Sequence, residues 1–122
     1  MIERDVEDYL VKRVKALGGE CRKVVWPGRR GAPDRLVMLP GFALKPQAEA
    51  AARDPAVIAW LQEAQQRVSA ALPGSGYCVW VELKAPGQKA KPHQVREHER
   101  MRNMGQRVEV VDSIEGVDAL LQ

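Results

Sequence analysis

The 122-residue chain is of single-domain length, and its 45% apolar and 29% charged residues describe a globular, water-facing protein. Apolar residues nowhere run for the roughly 18 positions of a membrane span. Met1-Ile2-Glu3-Arg4-Asp5 lacks the basic and apolar regions of a signal peptide, so the expected setting is the cytoplasm. A net charge of +3 is too mild to specify a nucleic-acid partner by itself. Cys21 and Cys78 are far apart and outside any Cys/His cluster, and read as small buried strand residues rather than a redox or zinc pair.

Ile2, Val6, Tyr9, Leu10, Val14 and Leu17 recur at helical spacing, and Gly18-Gly19 ends the run, which predicts a helix over about 2–17. Residues 21–26 read as a strand, 27–33 as a turn-rich basic loop, and 35–39 as a second strand closed by Pro40-Gly41. From residue 44 to 72 the texture changes to Ala, Gln and Glu. Asp54 is an N-cap with Pro55 at the first helical position, and Val57, Leu61, Ala64, Val68 and Leu72 line one helix face. Pro73-Gly74-Ser75-Gly76 breaks that helix, and 77–83 is a strongly apolar strand. A loop over 85–91 leads to a helix from near Pro92 to Gly105, then a strand over 108–111. Asp112 or Ser113 caps a last short helix ending at Leu121. The order α-β-β-α-β-α-β-α, without repeats, predicts a mixed α/β domain around a small central sheet.

Two segments carry the chemistry: Gly31-Ala32-Pro33-Asp34-Arg35 and Val81-Glu82-Leu83-Lys84. Side chains at i and i+2 of a strand share a face, so Glu82 and Lys84 point together while Val81 and Leu83 enter the core. On a buried strand that pair is costly unless it is matched or bound to something. Asp34 opens its strand, where a turn can lift the carboxylate to the sheet edge. Two carboxylates at a sheet edge suit Mg²⁺, a hard cation that takes oxygen ligands and keeps several waters. Beside them an ammonium can hold the attacking water or balance charge growing on a phosphate. Either pattern alone is also an ordinary turn or an exposed ion pair; together, behind a glycine-rich basic loop, they point to a metal-dependent phosphodiesterase.

Pro33-Asp34 with Glu82-Leu83-Lys84 resembles the PD-(D/E)XK nuclease superfamily. The longer strings Gly31-Ala32-Pro33-Asp34-Arg35-Leu36-Val37 and Val81-Glu82-Leu83-Lys84-Ala85-Pro86-Gly87, with Gly18-Gly19 before and Gln94 after, resemble the stand-alone phage and bacterial members of the VRR-NUC family. The resemblance implies a restriction-endonuclease-like α/β fold, Mg²⁺ or Mn²⁺ as cofactor, structure-selective DNA cleavage, and work in a bacterial or phage-infected cell. It assigns Asp34, Glu82 and the Leu83 carbonyl as metal ligands and Lys84 as the catalytic lysine. Glu7 matches the first-helix glutamate that approaches the metal, although Glu3 lies one turn earlier on the same face. Gln94 matches a glutamine at the start of the helix after the catalytic strand. The chain departs from the compact members over about residues 42–76, a helical insertion in what is otherwise a single nuclease domain over 1–122.

Arg29, Arg30 and Arg35 surround the aspartate motif, and Lys89, Lys91 and Arg96 follow the glutamate motif, which places the expected DNA-binding charge at the chemistry. Aromatic residues are few, so base stacking is not expected as the main mode of binding. The leading expectation is an endonuclease for branched DNA such as Holliday junctions, acting as a homodimer. A flap or nicking nuclease of DNA repair and a non-catalytic DNA-binding module are the alternatives.

Overall fold

The computed structural model describes residues 1–41 and 53–122; the first part of the insertion falls outside the described residues. Eight elements follow in chain order: α1 Glu3–Ala16, β1 Glu20–Lys23, β2 Arg35–Leu39, α2 Pro55–Ala71, β3 Tyr77–Leu83, α3 Pro92–Asn103, β4 Val108–Val111 and α4 Ile114–Leu120. The strands form one sheet in the order β1-β2-β3-β4. The β1/β2 and β2/β3 pairs are antiparallel, and β3/β4 is parallel, with α3 as the crossover. This is the mixed α/β architecture expected from the element order. No helix among the described residues is long and apolar enough to cross a membrane.

One sheet face carries the core. Val37 and Leu39 of β2, Val79, Val81 and Leu83 of β3 and Val111 of β4 meet Val6, Leu10 and Val14 of α1 and Val117 and Leu120 of α4. The period-2 alternation of β3 thereby sends Trp80 and Glu82 to the opposite face. The Tyr9 hydroxyl donates to Asp118 at 2.7 Å and ties α1 to α4. Ser113 is the α4 cap, accepting from the Gly116 N–H at 2.9 Å, while Asp112 instead receives the Gly87 N–H at 3.2 Å.

Three expectations are corrected. The first strand ends at Lys23 rather than Trp26, because its partner β2 begins at Arg35, opposite Lys23. Val24 still donates to the Asp34 carbonyl at 2.8 Å before the chain leaves the sheet. The expected apolar stripe on α2 is only partly covered: Leu61 and Ala64 are half-buried beside the buried Gln65, whereas Val57, Val68 and Leu72 are exposed. Gln65 donates to the Leu17 carbonyl at 2.8 Å and occupies the space beside Gly18, so a polar side chain pins α2 to the end of α1. The cysteines also differ. Cys21 packs against the core, whereas Cys78, on the other sheet face near the start of β3, is exposed.

Candidate active site

The site lies on the sheet face away from α1, where β2 and β3 meet α3. Asp34 directly precedes β2 and stands one residue before Arg35, which pairs in register with Val81. Glu82 is buried, at 6% exposure, because its strand is central and α3 lies over it. Its carboxyl is pushed up to about 7, first by burial, then by the negative charge of Asp34, with Lys84 acting in the opposite direction and Glu3 adding to the rise. The Asp34 carboxylate is therefore close enough to oppose the ionisation of Glu82. Among the described residues, neither the Asp34 carboxylate nor the Lys84 amine takes a hydrogen bond or ion pair.

Gln94 holds Glu82 from above. Its side-chain amide donates to Glu82 Oε1 at 2.6 Å, while its own oxygen receives the Lys91 N–H at 2.9 Å. The first turn of α3 is thus fastened to the buried carboxylate. The basic loop sits on the same turn. Gly31 has φ of +85°, and a Cβ there would stand 2.8 Å from the His93 carbonyl, so this close approach requires glycine. The loop brings Arg30 to the helix start. The His93 imidazole is held below its usual range, first by loss of water and then by the charges of Arg30, Lys91, Arg96 and Lys84. These four cations converge on one place, although they come from three segments of the chain.

Other expected site residues are placed elsewhere. The Arg35 guanidinium pairs with Glu7 on the α1 side of the sheet, behind the catalytic face. Alternation decides this: Arg35 follows Asp34 and so points the other way. Glu7 is held in that pair, and of the two α1 glutamates it is Glu3 whose charge acts on Glu82. Arg29 is bound by Glu97, whose side chain is 1% exposed: its Nη2 donates to Oε1 at 2.8 Å and its Nε to the other oxygen. Arg100 adds a bond to the same carboxylate at 3.1 Å. The Arg29 hydrogen bond holds the Glu97 carboxyl below its usual range against the opposing effect of burial. Arg29 thus anchors the loop to α3, while Lys89 and Lys91 are exposed near the site. Leu83 ends β3 between Glu82 and Lys84.

His93 and His98 escaped the sequence reading. His98 is almost fully buried, its Nε2 has no hydrogen-bond partner among the described residues, and burial holds the imidazole below its usual range. Only the proline before His93, which starts the helix, hinted at its place near the carboxylates. Among the described residues no group of three or more His, Cys, Asp or Glu side chains is placed to hold a metal ion. An octahedral Mg²⁺ does not need one, since it binds through one or two carboxylates and keeps its waters. Two hard oxygen donors, one of them buried and opposed by the charge of the other, fit that cation.

A mixed four-stranded sheet flanked by helices, with Asp34 directly before one central strand and Glu82-x-Lys84 on the next, is a restriction-endonuclease-like nuclease fold. No family model matches the chain. It is 36% identical over 111 residues to "Putative nuclease p44" of Acyrthosiphon pisum secondary endosymbiont phage 1, covering 91% of this chain and 83% of that protein. A solved structure described as "VRR_NUC domain" superposes with a TM-score of 0.64 at 34% identity, covering 98% of this chain and 92% of the other. The chain belongs to the VRR-NUC family of nucleases.

Proposed function

We propose that this protein is a Mg²⁺- or Mn²⁺-dependent endodeoxyribonuclease that cuts branched DNA such as four-way junctions, in a bacterial or phage-infected cytoplasm. The observation that carries the reading is the buried Glu82 carboxylate with Asp34 and Lys84 acting on it, next to Arg30, Lys91 and Arg96 at the start of α3. Phosphodiester hydrolysis needs both halves of that arrangement. The cations hold the phosphate, and the carboxylates need a positive charge that a divalent ion supplies.

Asp34, Glu82 and the Leu83 carbonyl would hold that ion, whose chemistry is to polarise the phosphoryl oxygen and neutralise the leaving oxygen. Gln94 orients the Glu82 carboxylate through its 2.6 Å bond. The Lys84 amine, on the face of Glu82, holds the attacking water or offsets charge growing on the phosphate. Glu3 extends the negative field from α1 toward Glu82.

The deciding experiment is a cleavage panel of labelled four-way junctions, flaps, single strands and linear duplexes with Mg²⁺ and Mn²⁺. Preferred cleavage of junctions supports the proposal. Preference for flaps or single nicks replaces it with a repair nuclease built on the same site. No cleavage over a range of both metals leaves a DNA-binding module.

A further inference from the structure

Beside the carboxylates the same sheet face carries a cavity of about 420 Å³, within the range of roughly 300–1,000 Å³ typical of ligand clefts. Its walls include two of the chain's three tryptophans, Trp26 and Trp80, with ring centroids 5.1 Å apart and planes tilted by 53°. Met101, Met104 and Gln106 complete the apolar side. Both indoles are half-buried and Met104 is 67% exposed, so the apolar wall is open to a ligand.

The polar edge of each indole is already used. Trp26 Nε1 donates to the Pro33 carbonyl at 2.7 Å, and Trp80 Nε1 to the Gln106 side chain at 3.3 Å. What remains for a ligand is π-surface and thioether, which suit a flat, stackable group better than a hydrogen-bonding one. The rim is cationic. Arg29 and Glu97 line the cavity, and Arg100 behind them binds the same Glu97 carboxylate, so the three side chains together carry one positive charge in excess. A flat aromatic group attached to an anion is the description of a nucleotide, and a cationic rim around aromatic walls is how single-stranded nucleic acid is held.

The position supports the same occupant. Trp80 lies two residues before Glu82 on one strand face, about 7 Å away along the strand. Trp26 is bonded to the residue immediately before Asp34. The cavity therefore adjoins the two segments that carry Asp34 and Glu82. We propose that it receives one unpaired nucleobase next to the scissile phosphate, so that the enzyme recognises branched DNA through a base the branch leaves unpaired. This rests on the nuclease reading above and adds to it the feature of the substrate that is selected.

The test uses the full chain carrying Trp60→Phe, so that indole fluorescence comes from Trp26 and Trp80, in chelator to prevent cleavage. It is titrated with oligothymidylate, an abasic strand of the same length and a blunt-ended duplex. Oligothymidylate should quench the emission, and the abasic strand and duplex should bind without quenching. Trp80→Ala should weaken oligothymidylate binding by roughly 5- to 150-fold and leave the abasic strand unchanged. Trp80→Phe should restore most of the affinity. Met104→Ala, exposed and so harmless to the fold, should cost roughly 2- to 10-fold, again only with bases present. Binding of all three DNAs without quenching, or equal losses on the abasic strand, overturns the base site and leaves the nuclease reading standing; the cavity then belongs to an apolar protein partner. Failure to bind any DNA overturns the nuclease reading and this proposal with it.

Discussion

A carboxylate on a buried strand lowers its cost either by taking up a proton or by sitting beside a cation, and Glu82 is poised between the two near neutral pH. Its raised value means that the folded protein favours the protonated form. This group's stabilising contribution is full below the unfolded value of 4.5 and is lost as pH rises through about 7. A divalent ion competes for the deprotonated form, so cation affinity should climb as pH rises toward about 7, by at most about tenfold per unit, and level off above it. Calorimetric titration of Mg²⁺ or Mn²⁺ across that range measures this, and a flat profile would show that the ion does not meet Glu82. Asp34→Ala and Glu82→Ala should abolish cleavage while leaving DNA binding largely intact, because each removes repulsion toward phosphate. Lys84→Ala should lose most of the rate yet still bind metal; any of the three cutting near the unmodified rate would refute the assignment. The Glu82/Lys84 pair was readable from strand alternation alone. The Arg35–Glu7 pair was not, since it joins residues 28 positions apart through the packing of α1 on the sheet.

At the scale of elements, the start of α3 and the basic loop act as one unit, joined by the Gly31–His93 approach and by Arg29 on Glu97. Neutralising Arg30, Lys91 and Arg96 should weaken DNA binding about equally across sequences and reduce the salt slope by about one per residue. Fluorescence anisotropy over a salt series checks both, and a change in which bases are preferred would contradict backbone recognition. Arg29→Ala should behave differently, lowering stability by stripping a partner from buried Glu97, and thermal unfolding separates the two effects. The elements themselves were legible where one local signal ruled: Gly18-Gly19 stopping α1, Asp54 capping α2, Pro92 starting α3. They were misread where a partner strand or a polar core residue ruled instead. Lys23 ends β1 because β2 starts opposite it, and Gln65, with only Leu61 and Ala64 of the stripe half-buried beside it, faces the domain. Neither fact has a local signature. Equally, the low aromatic content did not reveal that Trp26 and Trp80 meet, since 54 positions of chain separate them.

For the whole molecule the open question is assembly. A four-way junction presents two equivalent strands, and one compact site cuts one of them at a time, so a two-fold pair of sites matches the substrate's symmetry. The 17-residue α2, about 25 Å long, supplies a surface for such pairing. Trp60 is 63% exposed, Leu72 53%, Val57 43% and Val68 40%, and among the described residues α2 touches the rest of its own domain only lightly. A helix so lightly held keeps its order more readily if its apolar side is covered, and a stable pair needs about 800 Å² from each partner. We therefore expect a homodimer through α2, with a solution mass about twice the 13.6 kDa of one chain and paired, symmetric nicks on a mobile junction. Light scattering at micromolar concentration measures the mass. Trp60→Glu, at a position already facing water in the single chain, should yield a folded monomer that still nicks DNA but no longer cuts the two strands of a junction in concert. A wild-type chain that runs as a monomer, or a Trp60→Glu variant that stays paired, would remove α2 as the interface.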